Sequence, residues 1–192
     1  LTANEDGKDN GCIINTAIQA AGEPNQVSIS VSKKNYTHDM IMRTGKFTVS
    51  SLTEKADFSL FKRFGFQSGK DNDKFLGFDG WLRGINGVPY ITESCNAYIS
   101  VKVEKTVDLG SHTLFIGEVT DMEVLSEDSS VTYEFYQKNI KPKPEKVGTT
   151  PKGETVWRCI ICGYEYVGEE LPEDFICPWC KHPASDFEKI VR

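Results

Sequence analysis

The sequence predicts a mainly β domain, an antiparallel barrel with short helices, followed by a small domain that a metal ion holds together. Strand-like segments outnumber helix-like segments before residue 140. A Pro- and Lys-rich stretch follows, and four of the six cysteines come after it as two C-x-x-C pairs. The length of 192 residues suits one medium-sized domain and one small domain.

The strands of the first domain are predicted from alternating and short apolar patterns. Val27, Ile29 and Val31 alternate with serines, which is typical of a half-buried strand. Further strands are predicted at Phe47–Leu52, Ala97–Val103, Leu114–Leu125 and Val131–Tyr136. Because no G-x-G-x-x-G turn follows a strand, the sequence argues against a Rossmann nucleotide site.

Two short helices interrupt these strands. One is predicted from Thr37 to Thr44 and stops at Gly45, and the other runs from Asp57 to Phe64 and stops at Gly65.

The chain starts at Leu1 instead of methionine, so we expect its N-terminus to be truncated.

The segment 140–154 is rich in Pro, Lys, Gly and Thr and contains few large apolar residues. Such a composition is typical of a linker that is semi-rigid where prolines repeat. We therefore predict a first domain at 1–139, a linker at 140–154 and a second domain at 155–192.

Cys159, Cys162, Cys177 and Cys180 form the two C-x-x-C pairs. Four thiolates at this spacing suit a tetrahedral metal ion. The alternatives are two local disulfides, or a redox C-x-x-C motif that occurs twice. A domain this small needs such a staple to fold, and a zinc ribbon has the same need, so folding alone does not identify the metal.

Composition limits the partners and the compartment. The formal net charge is −6, and five acids without a base lie between Glu165 and Asp174. This charge argues against a nucleic-acid partner and suits a redox partner with a basic face, although a plain solvated surface is the more common meaning of such an acidic run. No apolar run is long enough to span a membrane. The cysteine pattern favours a reducing cytoplasm, with Cys12 and Cys95 as buried, inert thiols.

Polar groups cluster at three places in the first domain. Asn15, Thr16 and Gln19 lie in an otherwise apolar region. The run from Ser32 to His38 combines hydroxyls, two lysines and a helix start, which together can bind phosphate. A glycine-containing loop from Phe66 to Lys70 carries another base. Taken alone, each run is also compatible with a solvated turn.

The second domain resembles rubredoxins, the one-iron electron carriers. The resemblance rests on Trp157-Arg-Cys-Ile-Ile-Cys-Gly-Tyr-Glu-Tyr and Leu171-Pro-Glu-Asp-Phe-Ile-Cys-Pro-Trp-Cys, with the short spacing of the rubredoxin-like tail of rubrerythrins. It implies iron bound by all four cysteines. Lys181 stands where rubredoxins usually have glycine after the second pair.

The first domain resembles the FMN-binding split-barrel family of flavin reductases and flavoredoxins. The resemblance rests on Asn10-Gly-Cys-Ile-Ile-Asn-Thr, Val27-Ser-Ile-Ser-Val, Tyr36-Thr-His, Phe66-Gln-Ser-Gly-Lys and Ser111-His-Thr-Leu-Phe-Ile-Gly-Glu-Val. Fused to a rubredoxin domain, the chain is similar to the high-molecular-weight rubredoxins of strictly anaerobic bacteria.

This resemblance implies positions for the flavin. Asn15, Thr16, Ala17 and Gln19 would face the isoalloxazine, although the family usually has small hydroxyl residues where Ala17 and Ile18 stand. Ser32, Lys33, Tyr36 and Thr37 would hold the phosphate, and the loop that contains Phe66 and Lys70 would close over the cofactor. His112 would lie near the flavin or the nicotinamide; the alternative is a strand histidine bonded to a neighbouring backbone group.

The resemblance also implies a function. NAD(P)H would reduce FMN, and electrons would pass through the iron to an external acceptor such as a flavodiiron protein that reduces O₂ or nitric oxide. A homodimer is expected, and no side chain needs to act as a general acid or base. Two alternatives stay open: a reductase that releases free reduced FMN, and an FMN-binding module with a structural zinc ribbon.

Overall fold

The computed structural model describes residues 1–142, 155–179 and 182–191 in two compact units, Leu1–Ile140 and Lys141–Arg192. Most of the predicted linker therefore lies outside the described residues, as do the predicted ligand Cys180 and its neighbour Lys181. Within the described segments, no helix is long and apolar enough to cross a membrane.

A seven-stranded antiparallel sheet forms most of the larger unit. Its strands lie in the spatial order β2-β1-β5-β8-β9-β4-β3. Their bounds are β1 Thr2–Glu5, β2 Lys8–Gly11, β3 Ile18–Gly22, β4 Asn25–Ser32, β5 Lys46–Leu52, β8 Cys95–Asp108 and β9 His112–Val124, with a separate hairpin of β6 Trp81–Arg83 and β7 Pro89–Ile91. The predicted mainly β class is confirmed.

The two longest helices begin at capping side chains. In α1, Tyr36–Thr44, the Asn35 side chain accepts a hydrogen bond from the Thr37 amide at 3.0 Å. In α2, Phe58–Gly65, Asp57 accepts one from the Ser59 amide at 2.8 Å. These bonds satisfy amides that have no partner within the helix, which explains why both helices start where they do.

Gly45 ends α1 in the left-handed conformation, with a φ of 66°. Its amide donates to the Ile41 carbonyl at 2.9 Å and so satisfies one of the last carbonyls of the helix. Both predicted helices are confirmed.

The predicted strand at Val131–Tyr136 is wrong. This segment contains a short helix, α3 at Tyr133–Phe135, which continues as a π-helical turn at Tyr136–Ile140. Aromatic and β-branched residues gave it a strand-like composition. The Thr132 hydroxyl instead accepts from the Phe135 amide at 3.0 Å, which caps a helix.

Two hydrophobic clusters stabilise the larger unit. The first lies between the sheet and α1 and includes the fully buried side chains of Ile29, Met40, Phe47 and Phe115. The second surrounds α2 and is built on aromatic rings, with Phe64 edge-to-face against both Phe75 and Phe78. Edge-to-face pairs of this kind add to the stability that burial provides.

The smaller unit is built on a three-stranded antiparallel sheet in the order β11-β10-β12. Its strands are β10 Thr155–Cys159, β11 Glu165–Val167 and β12 Phe187–Val191, and a 3₁₀ turn at Ala184–Asp186 precedes the last. Cys159 ends β10, so the sheet fixes the position of the first cysteine pair.

Candidate active site and metal centre

A cleft of about 760 Å³ opens in the larger unit. The loop 12–17, strand β5, helix α2 and the segment 131–136 form its walls. Most of its lining is apolar, for example Ile13, Val49, Leu52, Phe61, Phe64 and Ile99. An apolar cleft of this volume with a few polar groups is the usual form of a small-molecule or cofactor site.

The polar side chains of the cleft differ in whether they are free to form hydrogen bonds with a bound molecule. Ser50 accepts a hydrogen bond from the Ile91 amide at 2.9 Å, and Ser51 lies 3.2 Å from the Ser130 hydroxyl. Asn15 is exposed, and its side chain forms no hydrogen bond to any described residue. The Asn15 amide can therefore donate to and accept from a bound molecule.

The loop 12–17 is fixed at both ends. The Cys12 amide donates to the Leu1 carbonyl at 2.8 Å. The Thr16 hydroxyl donates to the Ser30 carbonyl at 3.0 Å and accepts from the Ser30 amide at 3.2 Å. Thr16 thus bonds to β4, while its neighbours Asn15 and Ala17 line the cleft.

Lys74 links Gly11, which precedes the cleft loop 12–17, to helix α2. The side chain is buried, and its ammonium group donates to the Gly11 carbonyl at 2.8 Å and the Phe64 carbonyl at 3.0 Å. Burial lowers the pKa of Lys74 to about 8, because the interior disfavours the charged form. The role of Lys74 could not be predicted from the sequence, because its two partners lie on other segments of the chain.

Ser32, Lys33 and His112 come together at one end of the sheet. Ser32 is the register partner of His112 across β4 and β9. The Lys33 amide donates to the Ser111 carbonyl at 3.0 Å, and its ammonium group lies 2.7 Å from Asp108. His112 is exposed, and its Nδ1 lies 2.9 Å from the Ser111 hydroxyl.

The two groups that Thr37 could offer to a phosphate already have partners within the protein. The Thr37 side chain is fully buried, and its hydroxyl accepts from Asn10 Nδ2 at 2.9 Å. The Thr37 amide is already bonded to the Asn35 cap. The ring of Tyr36 instead contacts Lys8, whose Nζ is 4.7 Å from the ring centroid.

The three remaining predicted residues are dispersed. Phe66 lines the cleft and packs against Phe58 with ring centroids 5.7 Å apart. Gln19 is exposed in β3, where its amide nitrogen lies 3.4 Å from the Asn25 side-chain oxygen. Lys70 lines a separate depression of about 240 Å³. The structure therefore places Asn15, Ala17 and Phe66 in the cleft and leaves Gln19 and Lys70 outside it.

The smaller unit contains a compact group of thiols. The sulfurs of Cys159, Cys162 and Cys177 all lie within 4.8 Å of one another, and all three residues are buried. Cys162 and Cys177 have their sulfurs 3.5 Å apart, which is far longer than a disulfide bond. Metal–sulfur bonds of about 2.3 Å in a tetrahedral site would separate neighbouring sulfurs by about 3.8 Å.

Turns and aromatic rings hold these thiols in place. The Cys159 amide donates to the Tyr164 carbonyl at 2.8 Å, and Gly163, with a φ of 77°, donates back to the Cys159 carbonyl. Around this turn, the ring of Tyr164 lies 5.3 Å from that of Trp179 and 6.4 Å from that of Phe187. The thiol set and its packing therefore fit a metal ion, with Cys180 as the expected fourth ligand.

Known protein families match both units. Residues 1–143 match the flavin reductase like domain, and residues 157–188 match the rubredoxin-like domain of rubrerythrins. The fold and these matches define a two-domain oxidoreductase. The chain belongs to the flavin reductase-like family and carries a rubredoxin-like domain at its C-terminal end.

Individual proteins show the same combination or its first part. The chain is 33% identical to the high molecular weight rubredoxin of Moorella thermoacetica in an alignment 221 positions long, which covers 99% of this chain and 93% of the relative. It is 36% identical to the ferric-chelate reductase (NAD(P)H) of Archaeoglobus fulgidus over 157 residues, covering 82% of this chain and 89% of the relative. The predicted resemblance to high-molecular-weight rubredoxins is confirmed.

A solved structure supports the fold of the larger unit. An FMN-binding protein from Thermus thermophilus, crystallised with 1-cyclohex-2-enone, superimposes with a TM-score of 0.59. The two chains are 23% identical, and the match covers 65% of this chain and 67% of the other. At this identity, the similarity establishes the fold alone.

We predict that Cys177→Ser removes the metal from the smaller unit. A serine hydroxyl holds its proton far more tightly than a thiol and is a much weaker ligand than a buried thiolate, and structural metal sites contribute directly to folding. Metal analysis by mass spectrometry should find bound metal in the native chain and almost none in the variant. Cys95→Ala is the control, because Cys95 lies in the larger unit and burial raises its pKa to about 12. Full metal content in Cys177→Ser would contradict the assignment.

We also predict a pH effect from Lys74. Its pKa is about 8 in the folded chain and about 10.4 when unfolded, so between these values only the unfolded chain keeps the proton. The free energy of unfolding should therefore rise with pH across this window, relative to Lys74→Met, with a limiting slope of about 1.4 kcal/mol per pH unit. Urea titrations of the larger unit measure it. The exposed Lys70→Met variant should behave like the native chain, and a flat difference for Lys74→Met would contradict the prediction.

Proposed function

We propose that the protein transfers electrons from NAD(P)H, through FMN bound in the cleft and iron at the four-cysteine centre, to an external redox protein. The observation that carries this proposal is the presence in one chain of a cleft large enough for a planar cofactor and a buried thiolate cluster. Bound FMN would accept two electrons as a hydride, and thiolate-bound iron would pass them on singly. The protein supplies binding, orientation and exclusion of water.

The lining of the cleft suits the apolar part of a flavin ring. Asn15 offers an amide donor and acceptor for polar atoms at the ring edge, and Phe66 offers aromatic surface. Ala17 also lines the cleft, and its methyl group adds little bulk. Because Thr16 bonds to β4 through Ser30, the same strand leads from the loop of the cleft towards Ser32.

Ser32, Lys33 and His112 are the proposed phosphate end of the site. The Lys33–Asp108 ion pair is exposed on both sides, so it contributes little to stability. A doubly charged phosphate can therefore replace Asp108 as the partner of Lys33 at small cost. Thr37 is left out of this proposal because its hydroxyl and amide are both bonded within the protein.

The surface of the smaller unit suits a basic acceptor. Glu169, Glu170, Glu173 and Asp174 are exposed. Such a field attracts a partner with a positive face and speeds its association at low salt.

We propose a flavodiiron-type protein as acceptor, and a homodimer in the cytoplasm of an anaerobe as the working form. The NAD(P)H donor is supported by the similarity to a ferric-chelate reductase that uses it.

That relative also favours a second candidate function. A ferric-chelate reductase aligns with 82% of this chain, which supports delivery of electrons from the cleft to a small acceptor without the metal centre. Removal of the metal distinguishes the two functions. It would stop a relay through the metal, whereas direct reduction of a small acceptor from the cleft would continue.

We predict that Cys177→Ser separates these functions. NADH should still reduce flavin in the larger unit at a rate within about twofold of the native rate, while transfer to a flavodiiron protein falls by about tenfold or more. Anaerobic stopped-flow absorbance measures the first step, and nitric oxide or O₂ consumption measures the second. Cys95→Ala should leave both rates unchanged. Undiminished transfer in Cys177→Ser would contradict a relay and favour direct reduction.

A further inference from the structure

Tyr133 is an aromatic side chain at the cleft that no neighbouring side chain covers well. It lines the cleft, yet 63% of its surface is exposed. Its hydroxyl forms no hydrogen bond to any residue in the described part of the chain. A large, amphipathic ring at the edge of an apolar cleft gains contact area when a molecule enters that cleft.

The backbone on the N-terminal side of Tyr133 is firmly held. The Val131 amide donates to the Leu52 carbonyl at 2.8 Å, and Thr53 and Ser130 form an antiparallel bridge. Thr132 then caps the short helix that Tyr133 begins. The backbone that leads into Tyr133 is therefore anchored to Leu52 at the end of β5 and to the adjacent Thr53.

The backbone on the C-terminal side is held by aromatic packing. Tyr136 also lines the cleft, and its ring lies 4.5 Å from that of Phe61 on α2. The Tyr133 and Tyr136 rings are 6.4 Å apart with planes tilted by 36°. Tyr136 completes the wall, and Tyr133 extends beyond it as the exposed member of the pair.

We propose that Tyr133 is a positioning residue that stacks on the isoalloxazine ring of bound flavin. This inference rests on the proposed function, since it takes flavin as the occupant of the cleft. A planar heteroaromatic ring matches both the apolar walls and the exposed aromatic face, and Tyr has only two side-chain torsions to fix on binding. Contact with the phenol ring covers apolar flavin surface that would otherwise face water.

The nicotinamide ring of the electron donor is the other planar group that could stack on Tyr133. Stacking on flavin and stacking on nicotinamide predict different effects of a Tyr133 substitution. A residue that contacts flavin changes the affinity and emission of bound flavin with no donor present. A residue that contacts only nicotinamide changes the dependence on NADH and leaves the flavin in its native environment.

The test uses Tyr133→Ala and Tyr133→Phe in the full chain. Removing a stacking ring should raise the dissociation constant for FMN by about tenfold in Tyr133→Ala, whereas Tyr133→Phe should stay within about twofold of the native protein. A phenol in contact with excited flavin quenches its emission by electron donation, and a phenyl ring does not. The emission of bound FMN should therefore rise in Tyr133→Phe, although its affinity is kept.

Two controls make the result decisive. Tyr90→Phe removes a phenol that stacks on Tyr98 and does not line the cleft, and Gln137→Ala alters the exposed surface of the same helical segment. Both should keep native affinity and emission. If native protein binds FMN while the Tyr133 variants keep its affinity and emission, this inference is overturned, even if the KM for NADH changes. If native protein binds no FMN, the proposed function itself fails.

Discussion

The buried ammonium group of Lys74 is the contact on which the shape of the cleft depends. It donates to two carbonyl groups, that of Gly11 at the end of β2 and that of Phe64 near the end of α2. The loop 12–17, which follows Gly11, and helix α2 both line the cleft. A buried charge is tolerated only when such partners are in place. Lys74 therefore ties the start of the loop 12–17 to the C-terminal end of α2, and both segments line the cleft.

The smaller unit is organised by a different constraint. It is too short to fold on apolar burial alone, so its aromatic rings and turns depend on the thiolate cluster. The turn between Cys159 and Tyr164 and the strand β10 place the first pair, and the Cys177 amide is tied to the His182 carbonyl at 2.8 Å. In this unit, the proposed electron-transfer site would therefore also contribute directly to folding.

Features with a local physical cause could be predicted from the sequence. The C-x-x-C spacing predicted that the thiols of Cys159, Cys162 and Cys177 lie close together, as they do. The alternation of apolar residues in β4 predicted which side chains of that strand are buried. The same local logic failed at Tyr133, where composition resembled a strand but the Thr132 cap selected a helix.

Tertiary features could not be predicted in this way. Lys74 bonds to carbonyls that are 63 and 10 residues distant, and no pattern in its neighbourhood marks it. Thr37 looked available at a helix start, but Asn10 on β2 binds its hydroxyl inside the core. The partners of such residues are determined by packing between segments that are distant in sequence.

The proposed relay requires one chain to hold both a flavin and a thiolate-bound iron and to pass electrons between them. The most direct measurement is an anaerobic visible spectrum of the purified protein during titration with NADH. We expect overlapping flavin and ferric-thiolate bands that bleach together. Flavin bleaching without any ferric-thiolate band, or with one that persists after the flavin is reduced, would contradict an internal relay.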